Sequence, residues 1–256
     1  MKRKGIDSMS EKNTLGSLEL NQIYQMDCLE GMRLLPDRSI DMILCDLPYG
    51  TTACKWDIII PFEPLWEQYE RIIKDDGAIV LFGSQPFTSQ IIMSNIDLFR
   101  YEIIWEKEQA TNFMFMKKQI GKIHENILVF YKKQPTYNPQ MIQVNKKSHS
   151  GTKNKVLSHN LTGGEPRREG ATDRYPTSII KINRDRTKLH PTQKPVALFE
   201  YLIRTYTNEG EIVLDNCMGS GTTAVAAVRT NRKFIGFELE PEYVRIANQR
   251  LENVVR

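Results

Sequence analysis

From residue 22 onward the chain alternates short apolar runs with amphipathic stretches. Runs rich in Ile, Val and aromatic residues occupy 22–26, 40–45, 78–82, 101–105 and 126–131, and their length predicts strands. Helical stretches separate the first three, at 29–35 and 61–74. In the second of these Phe62, Leu65, Trp66, Tyr69, Ile72 and Ile73 recur at three- and four-residue spacing. Strands alternating with helices predict parallel pairing, because parallel neighbours need a crossover connection. No helical period runs between Trp105 and Asn126, so the last two strands are expected as an antiparallel pair at a sheet edge. Alternation resumes toward the C-terminus, with a helix at 195–207, a strand at 211–215, a helix at 222–230, a strand at 233–237 and a helix at 241–251. Residues 1–18 are polar without a usable period and are expected as a mobile tail.

Composition narrows this picture. The 256 residues suffice for one large domain, or one domain with an insertion. Cys28, Cys45, Cys54 and Cys217 lack the paired CxxC spacing of a zinc site, no signal-peptide pattern opens the chain, and a reducing cytoplasm is the expected setting. No apolar run approaches the roughly 18 residues of a membrane-spanning helix. The net charge of +4 is unevenly spread: residues 132–188 hold 13 Lys and Arg against 4 Asp and Glu, a balance of +9 that leaves −5 for the remainder. On charge alone, a polyanion-facing insertion and a solvated linker stand equal.

Two segments carry candidate chemistry. Residues 213–224 place a strand, a glycine turn with Gly219 and Gly221, and a helix start in succession, and the next strand ends at Glu238. Glycines let the backbone approach a ligand, the helix start offers free N–H groups, and the carboxylate suits a ribose. This arrangement fits a nicotinamide dinucleotide and S-adenosylmethionine equally. The second segment, Asp46-Leu47-Pro48-Tyr49, follows a strand directly. Asp46 and the Leu47 carbonyl can each accept an N–H of a planar exocyclic amine while Tyr49 stacks on its ring. Taken alone, these four residues equally describe a type I turn. His124-Glu125-Asn126 lacks further spaced ligands and reads as structural. The apolar run Phe113, Met114, Phe115 and Met116 reads as core packing, base-pocket lining or a subunit contact.

Asp46-Leu47-Pro48-Tyr49, then His190-Pro191-Thr192-Gln193-Lys194-Pro195, then Asp215-Asn216-Cys217-Met218-Gly219-Ser220-Gly221-Thr222-Thr223 together resemble the amino-group DNA methyltransferases, in the beta-ordered subgroup of N6-adenine and N4-cytosine enzymes. The resemblance runs from residue 22 to the C-terminus. Leu47 replaces the usual proline of a DPPY motif and Asn216-Cys217 a commoner Pro-Phe; neither change removes a backbone acceptor or a glycine.

The resemblance implies a class I S-adenosylmethionine-dependent methyltransferase: a doubly wound, mostly parallel, seven-stranded α/β sheet with circularly permuted motif order. Residues 19–131 would form its catalytic half, 132–188 a basic target-recognition insertion and 189–256 its cofactor-binding half. It assigns catalysis to Asp46, Leu47, Pro48 and Tyr49. Asp27, with Cys28 beside it, would face the cofactor's adenine amine, Glu238 its ribose, and Asp215 with Met218, Gly219, Gly221 and Thr222 its methionine portion, over which the segment of His190, Thr192 and Lys194 would pack. Lys146, Lys147, Lys153, Lys155, Arg167, Arg168, Arg174, Arg184 and Arg186 would meet DNA phosphates. DNA is the implied partner, a homodimer and a cognate restriction enzyme are candidate assemblies, and no metal or membrane is expected.

The implied reaction is methyl transfer to N6 of a flipped-out adenine, with N4 of cytosine the nearest alternative. Cytosine C5 chemistry would need a cysteine thiolate in a Pro-Cys context that the sequence lacks. A nicotinamide oxidoreductase would leave the 46–49 and 190–195 motifs unexplained, and a noncatalytic nucleic-acid-binding protein would account only for the basic stretch.

Overall fold

The computed structural model describes residues 13–51, 57–143, 172–185 and 193–255. Two compact units are present, one of Met1–Asn138 with Ser178–Arg256, the other of Pro139–Thr177. The first half of the chain contributes β1 (Thr14–Leu15), β2 (Leu18–Glu19), β3 (Gln22–Gln25), α1 (Cys28–Arg33), β4 (Ile40–Cys45), α2 (Phe62–Ile72), β5 (Ile73–Gly83), α3 (Phe87–Ser94), β6 (Phe99–Glu106) and β7 (His124–Phe130). After it come β8 (Ile142–Gln143), β9 (Asp173–Arg174), β10 (Ile179–Lys181), α4 (Val196–Tyr206), β11 (Ile212–Asp215), α5 (Thr222–Arg229), β12 (Lys233–Glu238) and α6 (Pro241–Val255).

Among the described residues the larger unit holds one eight-stranded sheet in the order β10-β6-β7-β5-β4-β11-β12-β3. Only β7 runs against its neighbours, β5 and β6. The C-terminal strands β11 and β12 therefore insert between β3 and β4, and α6 packs on β3. This is the spatial meaning of the permuted motif order.

Central strand β4 is apolar from Met42 to Cys45 because both its faces are covered there. Met42 and Leu44, with Val80 and Phe82, belong to the core that includes α4 and α5. Ile43 and Cys45, with Ile79 and Leu81, belong to the core under α1, α2 and α3. The smaller unit's described part is the antiparallel pair β8–β9, with Ile142 opposite Arg174.

Several local expectations need revision. An eighth strand, β10, extends the expected sheet; it was hidden in the basic stretch because only Ile180 of its three residues is buried. Strands β6 and β7 are antiparallel as expected, but β10 displaces them from the edge. Residues 14–19 are a small hairpin rather than part of a tail, held by burial of Leu18 and by a 2.8 Å bond from Leu20 N to Asn13 O. Ile73 and Lys74 begin β5 instead of ending α2, because Ile73 pairs with Ile40 and Lys74 pairs with Asp41 at 2.5 Å. Helix α3 was missed because its eight residues bury only Phe87, Thr88 and Ile91. The basic stretch is also divided, since its described residues 132–138 and 178–185 fall in the larger unit.

Candidate active site

Four neighbouring parallel strands, β4, β11, β12 and β3, end on one side of the sheet. Each finishes at a carboxylate or within two residues of one: Asp46, Asp215, Glu238 and Asp27 respectively. In open α/β sheets this carboxyl edge is where ligands bind. A row of four acids suits a cationic ligand there.

The Asp46 segment is braced from several directions. Tyr49 Oη donates to Asp46 Oδ1 at 2.6 Å, and the Tyr49 ring stacks on Phe87 with centroids 4.9 Å apart. Burial, then the neighbouring Asp46 charge, pushes the Tyr49 hydroxyl well above its ordinary value, so it remains a donor. Asp57 holds the far side of the segment, accepting from Gly50 N at 2.8 Å and Thr51 N at 2.9 Å. Gly50 has φ +67°, a left-handed conformation that a side chain would strain. The segment thus presents its acid at the sheet's carboxyl edge, and no backbone bond from Tyr49 N to Asp46 O closes a type I turn there.

Lys194 completes an alternating line of charge. Its ammonium is paired with Asp46 Oδ2 and lies 3.3 Å from Glu125 Oε2, while Glu125 Oε1 is paired with Lys107. Burial works against the Lys194 charge, yet Asp46 and Glu125 outweigh it and raise its pKa. For Lys107 burial prevails and the pKa falls despite Glu125. Burial opposes ionisation of Glu125, but the two lysines hold it below the ordinary carboxylate range. Lys194 also sits 5.2 Å from the Phe82 ring centroid.

The glycine turn is built from its own residues. Buried Asp215 accepts from Cys217 N at 3.0 Å and from the Thr223 hydroxyl, and burial pushes its carboxyl up to about 6. Glu238 accepts from Gly219 N at 2.7 Å and from Glu240 N at 2.9 Å. Burial raises its pKa too. Gly221, at φ +82°, would place a Cβ 2.7 Å from Ala247 Cβ. Gly219, at φ +52°, would place one in space where the nearest atom is 4.0 Å away. One glycine is thus required by packing, while the other leaves open space beside Glu238 into which a ligand can come close to the backbone.

Other anticipated residues are distributed as follows. Asp27 Oδ1 caps α1, accepting from Leu29 N at 2.9 Å and Glu30 N at 3.1 Å. Met218 packs its Cε against Gly236, and Arg250 reaches Thr222 Oγ1 at 3.2 Å. The neighbouring Cys217 thiol, with burial, raises the pKa of Cys28, and burial pushes Cys45 up to about 12. These cysteines remain thiols at neutral pH, which supplies no C5-type nucleophile among the described residues.

Arg174 is exposed on β9, whereas Arg184 is engaged by Glu108 at 3.1 Å. His190, Thr192, Lys146, Lys147, Lys153, Lys155, Arg167, Arg168 and Arg186 lie outside the described residues. Phe113–Met116 is not core: a 3₁₀ turn exposes all four side chains. Sequence reasoning missed Asp57, Lys107 and the place of Glu125 beside Lys194. The signal for Glu125 lay in register, since it sits opposite Trp105 in the β6–β7 pair.

A family model described as DNA methylase matches residues 40–249. The chain belongs to the DNA methylase family. The type II methyltransferase M1.MboII of Moraxella bovis is 30% identical over 255 residues, covering 90% of this chain and 96% of that protein. The DNA adenine methyltransferase YhdJ of Escherichia coli (strain K12) is 29% identical over 253 residues, covering 91% and 83%. Among solved structures, the M1.HpyAVI–SAM complex superposes with a TM-score of 0.61 at 28% identity, covering 90% of this chain and 99% of that one. This methylase is an S-adenosylmethionine-dependent methyltransferase of DNA. The site residues fit that cofactor, because it is a cation and the cleft offers carboxylates beside an open glycine turn. No helix among the described residues is long and apolar enough to cross a membrane.

Proposed function

We propose that this methylase transfers a methyl group to the exocyclic N6 amine of an adenine turned out of the duplex. The observation that carries the reading is the Asp46 carboxylate, held between the Tyr49 hydroxyl and the Lys194 ammonium at the carboxyl end of β4, directly beside the strand that leads into the glycine turn. Within the resembled family, aspartate rather than serine at position 46 favours adenine. YhdJ, named as an adenine enzyme, supports the same choice.

S-adenosylmethionine, when bound, supplies a methyl group on a sulfonium. Glu238 and Asp27 are assigned to its ribose and adenine, and the turn from Asp215 through Gly219 to Thr222 to its methionine portion. An amine conjugated to a purine ring is a poor nucleophile, so the protein must align it and favour the charge that grows on nitrogen. Asp46 performs the second task by accepting an amine N–H. Each carboxylate oxygen offers two lone pairs, so the bonds from Tyr49 and Lys194 leave room for another donor. The Leu47 carbonyl is assigned the other N–H, and Pro48 fixes the chain direction between them. Tyr49, backed by Phe87, offers a ring against which the unstacked base can lie.

The basic stretch 132–188 is assigned to target recognition, supported by its +9 balance. The type II designation of M1.MboII supports a cognate restriction enzyme as partner. Homodimerisation rests on the family resemblance, and a cytoplasmic setting on the cysteine usage of a reducing compartment.

The test is modification-sensitive sequencing of DNA from cells expressing the protein, beside transfer of label from tritiated cofactor to DNA. The expected outcome is 6-methyladenine in one sequence context. N4-methylcytosine there would overturn the choice of base.

A further inference from the structure

We propose that the tip of the loop joining β6 to β7, Phe113 with Met114 and Phe115, inserts into the DNA base stack beside the target and fills the space that the turned-out base vacates. The proposal rests on the reading of this protein as a base-flipping methylase. A base that leaves the duplex leaves a hole whose neighbours have lost a stacking partner, and apolar side chains such as Phe and Met can enter a duplex as wedges between base steps.

Topology puts the loop in the right place. Strand β5 runs parallel to β4, and β7 begins where β5 ends, with Asn126 opposite Gly83. Glu106, the end of β6, pairs with His124. Residues 107–123 therefore emerge on the same carboxyl edge as Asp46. Lys107 and Glu125, which flank the loop, belong to the charge line that reaches Asp46 through Lys194.

The loop's chemistry matches a duplex. Phe113, Met114 and Phe115 are 71%, 78% and 58% exposed, a cost in water that a folded chain does not ordinarily accept at three consecutive positions. From Gln109 to Ile123 the loop carries Lys117, Lys118 and Lys122 and no acid, so cations suited to phosphate surround the apolar tip. Its neck is ordered beforehand: Thr111 N bonds to Lys122 O at 3.0 Å, Lys122 N to Asn112 Oδ1 at 2.6 Å, and Asn112 Nδ2 to Ile120 O at 3.1 Å. The Lys122 ammonium is tied to the Ser84 hydroxyl, just past β5. By contrast, a second exposed apolar pair, Met93 and Ile96 on and after α3, is bordered by Glu63, Glu67, Glu70 and Asp97, the wrong sign for DNA.

The test uses the full chain and a duplex containing the site found by the sequencing above. Single-turnover methylation is measured on that duplex and on one with an abasic position opposite the target, where the base is already unpaired. Combined Phe113→Ala, Met114→Ala and Phe115→Ala is expected to slow the intact duplex by about tenfold or more and to recover most of that loss on the abasic duplex. Leucine at the same three positions should retain most of the rate. Equal losses on both duplexes, or no loss on either, would overturn the wedge, as would a wild-type dimer that the alanine variant converts to a monomer. If wild type labels neither duplex, the functional reading fails instead.

Discussion

The Lys194 ammonium rests directly on the Asp46 carboxylate although 148 residues separate the two in the chain. One end of this pair belongs to the motif closing β4 and the other to the segment entering α4, so folding of both halves is required to assemble the charge. If Asp46 is the acceptor of the target amine, Asp46→Ala removes the group that stabilises the growing positive charge. Transfer should fall more than ~100-fold in a single-turnover assay, while calorimetric affinity for S-adenosylmethionine stays within a fewfold of wild type. Retained transfer would remove Asp46 from this role.

Glu125 stands between two lysines with almost no access to solvent, Lys107 at 6% and Lys194 at 9% side-chain exposure. Glu125→Gln therefore strips Lys107 of its carboxylate and leaves Lys194 paired with Asp46 alone. Breaking a buried pair by removing one partner costs about 3–5 kcal/mol. Urea denaturation should show a loss of that order, and Lys107→Met in the Glu125→Gln background should recover part of it. A fully additive double mutant would mean that the two groups are not coupled.

Much of the sheet could be read locally, because β4 and β11 are buried on both faces and carry the apolar runs that such burial demands. The glycine turn was equally legible, since Gly219 and Gly221 serve backbone conformations that show directly as residue identity. What escaped depends on partners far away in sequence. Glu125 acquires its place only once β6 and β7 are in register, and Lys194 only once α4 packs across β4. Strand β10 carries one buried side chain, too little for periodicity to register, and α3 has a single-turn apolar face. Asp57 looked like an ordinary acid because the backbone it holds lies six and seven residues earlier.

Glu238 latches the glycine turn through Gly219 N and Glu240 N, both charge-assisted bonds. Such a bond is worth about 1.5–3 kcal/mol. Glu238→Ala releases both donors, so cofactor affinity should weaken by about tenfold to a hundredfold, with the rate at saturating cofactor largely kept because Asp46 is untouched. A lower saturated rate at unchanged affinity would contradict the assignment of Glu238 to the cofactor.

The division of charge predicts a salt signature. If 132–188 meets phosphate, replacing Lys146, Lys147, Lys153 and Lys155 by glutamine should flatten the plot of log affinity against log salt by roughly one unit for each phosphate left without its lysine. An unchanged slope would assign DNA binding to another surface.

Asp215 gives the clearest dependence on pH. Its native carboxyl is pushed up to about 6 by burial, against about 3.9 in an unfolded chain. Between those values the folded state binds more protons than the unfolded one, so this group's contribution is most favourable below pH ~4, declines as pH rises through 6 and is flat above. The span corresponds to roughly 3 kcal/mol. Asp215→Asn abolishes the ionisation while keeping an acceptor for Cys217 N and offering an N–H to the Thr223 hydroxyl oxygen, bonds that hold the turn without a buried charge. The stability of the variant relative to wild type should therefore rise by about 2–3 kcal/mol between pH 4 and pH 7 in urea denaturation. Parallel pH profiles would mean that Asp215 is ionised in the folded protein at little cost, and that the donors from Cys217 and Thr223 compensate its burial fully.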